Sequence, residues 1–202
     1  MLGWWSLAAA TVFVAYSLPP LRLNYRGGGE LLEALGVGVV MPVFCAQWAG
    51  LQPVAYALEP GVWAGLSGCQ VLGGASALAS GMSDEESDRA GGKRTVASVF
   101  GNGVARRWIR RCLALGLGCW LLGGVALWIA EGFAQGAPPL LAAAVAAWPA
   151  RHAARRLPNA RTNAFKAQVQ HKLWLHRGIW WGTGALAAGW AAVGLVGAGV
   201  AR

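Results

Sequence analysis

Carboxylates and cations crowd into one short stretch, Asp84-Glu85-Glu86-Ser87-Asp88-Arg89-Ala90-Gly91-Gly92-Lys93-Arg94-Thr95. If a helix runs through its first half, Asp84 and Asp88 stand at i and i+4 with their carboxylates on one face. That is a donor set suited to Mg2+, which keeps several waters and takes one or two protein carboxylates together with phosphate oxygens. The Gly91-Gly92 pair permits a sharp turn, returning Lys93 and Arg94 to the same point. There the lysine offers a compact charge and the arginine a planar fork for phosphate oxygens. The stretch thus has the parts of a site for a metal-bound diphosphate. Spacing alone leaves a second reading open, a solvated turn between helices. A P-loop is excluded, because no glycine stands five residues before Gly92 and Arg94 separates Lys93 from Thr95.

The elements that position this loop are apolar. Of 202 residues, 56% are hydrophobic and only 12% charged, against roughly 25% charged in a soluble domain. A helix crossing a bilayer needs about 20 mostly apolar residues, and the candidates are 2–18, 31–50, 60–80, 112–130 and 178–200. A sixth, 137–150, is short, and Trp148-Pro149 is expected to bend or end it, unless the stems of Arg151 and Arg155 extend its reach. The first segment lacks the basic start and small-residue cleavage site of a signal peptide and reads as a permanent span. The expected class is therefore all-α, a multi-span transmembrane bundle of about six helices in a single domain over residues 1–202.

Charge distribution orients the bundle. Arg22 and Arg26 follow the first span; Arg89, Lys93, Arg94, Arg106, Arg107, Arg110 and Arg111 follow the third; Arg151, Arg155, Arg156, Arg161, Lys166, Lys172 and Arg177 follow the fifth. Only Arg202 lies elsewhere, and the intervening loops carry just Glu59 and Glu131. By the positive-inside rule the three basic loops are cytoplasmic and both termini are outside. An anionic lipid surface accounts for the net charge of +9, and nucleic acid is not an expected partner, because a soluble, readable basic surface is missing. Trp4, Trp5, Trp48, Trp63, Trp108, Trp128, Trp174, Trp180 and Trp181 cluster near span ends, as rings at headgroup depth do. Cys45, Cys69, Cys112 and Cys119 have neither metal-clip nor redox spacing and read as small apolar residues. His152, His171 and His176 sit among Arg and Lys without a shared helical face for a metal, and a surface role is expected. Glycines of the last span, among them Gly178, Gly182, Gly184, Gly189 and Gly194, permit close helix packing.

The string from Asp84 to Thr95, DxxxDRxxGKRT in outline, resembles the second aspartate motif of the UbiA superfamily of intramembrane prenyltransferases. Residues 15–31, AYSLPPLRLNYRGGGEL, resemble the loop between the fourth and fifth helices of that family, closest in wording to its menaquinone-type, 1,4-dihydroxy-2-naphthoate branch. The resemblance implies that the six spans correspond to helices four to nine of a nine-helix fold. It also implies that the first three helices, with the Asn-Asp-rich first motif, lie outside this chain. In the family an allylic prenyl diphosphate ionises with Mg2+ as cofactor, and an electron-rich aromatic carbon attacks. Carried over, Asp84 and Asp88 would ligate Mg2+, Lys93 and Arg94 would contact diphosphate, and Arg22, Tyr25 and Arg26 would line the site. A headgroup anchor for the two arginines and an interfacial aromatic for Tyr25 stay open as alternatives. The expected partners are a polyprenyl diphosphate, a small aromatic acceptor, the lipid bilayer and a possible second chain supplying the missing helices. The expected place is the cell (inner) membrane, with the catalytic loops cytoplasmic. The resemblance is equally consistent with a non-catalytic or split member of the family.

Overall fold

A computed structural model of the protein describes residues 2–48, 60–159 and 164–200. The end of the second expected span (49–50), Glu59, Arg161 and Arg202 lie outside the described residues.

Every described element is helical. In chain order they are α1 (Leu2–Ser17), α2 (Leu23–Arg26), α3 (Gly29–Leu35), a π-helical turn (Gly36–Val40), α4 (Met41–Trp48), α5 (Pro60–Ser83), α6 (Glu85–Ala90), α7 (Val96–Phe100), α8 (Asn102–Glu131), α9 (Phe133–Arg155) and α10 (Ala164–Val200). The long helices α5, α8, α9 and α10 form the body. α9 packs along α10 and α8, α8 along α5, while α3 and the π turn lie on the opposite side of α5 and contact α1.

Small residues make this packing possible. Ala75, Ala79, Ala105, Ala142, Ala146 and Ala153 are buried, so neighbouring backbones approach closely with little side chain between them. One large side chain fills the remaining space. Trp120, wholly buried, donates its indole N–H to the Gly65 carbonyl at 3.0 Å. Its ring lies where Cβ atoms of Gly68 and Gly182 would stand, so a side chain at either position collides with it.

The outer surface reverses the soluble pattern. α8 exposes Leu115, Leu121, Leu122, Val125, Trp128 and Ile129 while burying Gly116, Trp120 and Gly124. Among the described residues α8 is the helix that is both long and apolar enough to cross a membrane. Only 28% of its most apolar window is buried within the protein, unlike the core helix of a soluble domain. A shorter apolar stretch, Ser6–Ser17, lies in α1. α5, with 24 residues, is about 36 Å long, but its Gly, Ala and Ser content dilutes its hydropathy.

Two local expectations are corrected. Helix α9 does not end at Trp148-Pro149 but continues to Arg155. Pro149 is fully buried, and Gly178 of α10 brings that helix against it: a Cβ there would lie 3.5 Å from the Ala150 nitrogen. Packing offsets the roughly 3 kcal/mol that an interior proline costs. His171, expected at the surface, is wholly buried. Its Nδ1 donates to the Ala153 carbonyl at 2.8 Å, and burial lowers its pKa. His176 is half-buried with Nε2 3.3 Å from the Ser76 hydroxyl, and His152 bonds its own helix at the Trp148 carbonyl, 2.9 Å away.

Candidate functional site

The long helix α5 stops at Ser83, and the chain bends at Asp84 before α6 begins. Backbone bonding survives the bend. The Asp84 N–H reaches the Ser80 carbonyl at 3.0 Å and the Asp88 N–H reaches the Asp84 carbonyl at 2.8 Å. Asp84 and Asp88 therefore keep an i to i+4 relation across a helix junction, not within one helix. Their environments differ: Asp84 is exposed and Asp88 is 7% exposed.

After α6 the chain reverses at Gly91-Gly92. Gly92 has φ +71°, a left-handed conformation that a residue with a Cβ adopts at a cost. The reversal is closed by the Lys93 N–H on the Asp88 carbonyl, 2.8 Å. It folds the Lys93 side chain back so that Nζ lies 3.3 Å from Asp88 Oδ1. The second oxygen, Asp88 Oδ2, is buried and has no hydrogen-bond partner. Burial pushes the Asp88 carboxyl above its ordinary pKa, and Asp84 adds to the shift while Lys93 opposes it. For Lys93, burial pulls downward most strongly, but the charge and hydrogen bond of Asp88, with Tyr16 and Asp84, leave it above its ordinary value. Both partners of the pair thus hold protons more tightly than free side chains. For Asp88 the cause is chiefly burial, and for Lys93 it is the negative groups around it; a carboxylate so poorly solvated gains from a further cation beside it.

The Arg22–Glu30 loop is bound directly to this site. The Arg94 N–H donates to the Tyr25 carbonyl at 3.3 Å, and the Val96 N–H donates to Glu30 Oε1 at 2.6 Å. Arg22, in a left-handed conformation with φ 41°, lays its guanidinium over the Tyr25 ring at 4.0 Å. Arg22 and Arg26 are exposed, as is the Arg94 side chain. The structure thus joins Asp88 with Lys93, Tyr25 with the Arg94 backbone, and Arg22 with Tyr25; for Arg26 it shows only an exposed position beside them. Thr95 caps α7 through a reciprocal bond pair with Ser98, which fixes where the Lys93-Arg94 segment ends.

Four contributors were not legible from spacing. Glu30 is the clamp between the two loops; its only sequence signal is an acidic residue in the first turn of α3. Glu85 is 4% exposed, receives Arg89 at 3.1 Å and accepts from Asn102 Nδ2 at 3.4 Å. Arg89 also reaches the Ala97 carbonyl at 3.4 Å, so this trio holds α6 against α7 and α8.

Asp84 and Asp88 fit a hard divalent cation, since both are oxygen donors and a buried carboxylate oxygen of Asp88 lacks a partner. Among the described residues no group of three or more His, Cys, Asp or Glu side chains converges on one point, so remaining positions around such a cation would fall to water and phosphate oxygens. The family model of the UbiA prenyltransferase family matches residues 1–176. The chain belongs to the UbiA prenyltransferase family. The match takes in the Arg22–Glu30 loop and the Asp84–Thr95 loop alike, and UbiA membership supports prenyl transfer as the general activity and a membrane-embedded setting. Comparison with curated proteins found no match, and comparison with solved structures found none.

Proposed function

We propose that this UbiA-family chain transfers a polyprenyl group from an allylic diphosphate to an aromatic acceptor in a Mg2+-dependent reaction of menaquinone or related quinone biosynthesis. The observation that carries this reading is the Asp88–Lys93 pair, a buried carboxylate with one oxygen free for a cation, bonded through Arg94 and Val96 to a second loop bearing Arg22, Tyr25 and Arg26. Asp84 and Asp88 would hold Mg2+, which when bound withdraws charge from the diphosphate oxygens. Lys93 and Arg94 bind and orient the same diphosphate, with Arg22, Tyr25 and Arg26 at its border. In the transfer the allylic carbon–oxygen bond breaks, its electron pair leaves with the diphosphate, and the aromatic carbon bonds to the prenyl cation and then loses a proton. Cations placed beforehand where that negative charge develops lower the barrier.

The setting that fits this chemistry is a bundle of about six membrane spans in the cell (inner) membrane, with the three basic loops in the cytoplasm. The apolar outer face of α8 and the one-sided distribution of Lys and Arg support it. A second reading, a non-catalytic or split UbiA member, is favoured by the two-carboxylate donor set, which makes no closed metal site by itself. The experiment uses membranes containing the chain, Mg2+, a polyprenyl diphosphate and 1,4-dihydroxy-2-naphthoate. Mass spectrometry is expected to find a prenylated product that disappears with a chelator. No product from the chain alone, with product restored by a co-expressed UbiA-like chain, selects the split reading; no product in either case rejects transfer.

A further inference from the structure

The face formed by the last turns of α9 and the middle of α10 lies outside the diphosphate site and carries a dense aromatic and cationic cluster. Trp148 meets Trp174 edge to face at 4.8 Å and lies parallel to Trp181 at 6.4 Å. His152 packs against both Trp148 and Trp174, at 4.5 and 4.9 Å. Two guanidiniums sit on the same indole, Arg177 at 4.8 Å and Arg156 at 5.8 Å from the Trp174 ring centre. Trp148 and Trp181 are about half exposed, at 52% and 46%, so the cluster opens outward.

Among the described residues its cations have no ion-pair partner. The sequence contains no Asp or Glu after Glu131, and among the described residues the ion pairs are those of Arg89 and Lys93. A guanidinium lying over a ring uses its face for the aromatic contact and keeps its edge N–H groups for a planar, bidentate acceptor such as a phosphate. The flanking indoles are amphipathic and belong at headgroup depth.

We propose that Arg156 and Arg177, held on Trp174 and flanked by Trp148 and Trp181, form a binding site for the phosphate of an anionic phospholipid headgroup. An anionic lipid is the occupant that meets both features at once, since its phosphate answers the two unopposed cations and its acyl region answers the exposed indoles. A free phosphate or a soluble acidic partner answers only the charge. The inference rests on the membrane setting and is independent of the transfer chemistry.

The test is native mass spectrometry of the full chain released from mixed phosphatidylglycerol and phosphatidylcholine vesicles. Wild type is expected to retain phosphatidylglycerol in preference to phosphatidylcholine. Arg156→Gln and Arg177→Gln are each expected to weaken that preference about fivefold and the double variant about twentyfold or more. Arg107→Gln with Arg110→Gln, which removes the same charge from exposed positions on α8, should leave it within about twofold. Excess inorganic phosphate should not displace the lipid. Equal retention of the two lipids by wild type, an unchanged preference in the Arg156/Arg177 variants, an equal loss in the α8 variant, or full displacement by phosphate each overturns the site. Circular dichroism of the single variants guards against reading a folding defect as a binding one.

Discussion

Glu85 and Asp88 lie three residues apart in one short helix, both nearly buried and both paired with a cation, at 3.1 and 3.3 Å. Their second oxygens differ. Glu85 Oε2 accepts from Asn102, whereas Asp88 Oδ2 is buried without a partner. A buried polar atom without a partner costs about 1–3 kcal/mol, a cost that a cation bound at this oxygen would remove. The first carboxylate is therefore bound up in holding α6 in place. The second is left with capacity for a ligand.

The largest expected effect follows from that capacity. Asp88→Ala should lower Mg2+-dependent prenyl transfer about 100- to 1,000-fold, the loss expected when a ligand that holds a charge-stabilising metal is removed, as measured by initial rates in membranes. Membrane insertion should be unchanged. Lys93→Met leaves the carboxylate but removes the neighbouring cation, and should weaken diphosphate affinity about 10- to 100-fold in a binding titration. Glu85→Gln should do the reverse of Asp88→Ala. Denaturant or thermal unfolding should show a loss of about 1–2 kcal/mol, with transfer by the folded fraction within about threefold of wild type. A Glu85→Gln protein of normal stability and no activity would erase the distinction.

The pH dependence gives a smaller, graded effect. The Asp88 pKa is raised, chiefly by burial, so its proton persists to higher pH than on a free aspartate. Metal binding needs the ionised form, and Mg2+ affinity should fall as pH drops through that raised value. Without metal, the sign for stability is opposite: the favourable contribution of protonated Asp88 is complete below the unfolded aspartate pKa and is lost as pH rises through the folded one. Mg2+ titrations across the acid range, in wild type and Asp88→Asn, should show this dependence in the first only.

Much of this was legible in the sequence because charge is scarce in the chain. With so few acidic residues, the concentration at Asp84–Asp88 beside Lys93 and Arg94 stands out, and the Gly91-Gly92 reversal follows from residue type. Spacing did not reveal the bend at Asp84, since an i to i+4 separation reads alike in one helix or across a junction. Nor did it separate Glu85 from Asp88: both are acids near a cation, and the difference lies in Asn102, which α8 contributes from the next helix but one. His171 was misjudged because its sequence neighbours are charged. On α10 its spatial row is Ala164, Gln168, Leu175 and Gly178, the three- and four-residue spacing of a buried helical face.

The most direct measurement is the Mg2+-dependent thermal shift produced by a polyprenyl diphosphate in wild type, Glu85→Gln and Asp88→Asn chains in lipid nanodiscs. At about 100 times the dissociation constant, a ligand stabilises by about 2.7 kcal/mol. Glu85→Gln should melt lower than wild type yet show the full upward shift, and Asp88→Asn should melt near wild type yet show none. A full shift in Asp88→Asn, or its loss in Glu85→Gln, would contradict the assignment of the diphosphate-bound metal to Asp88.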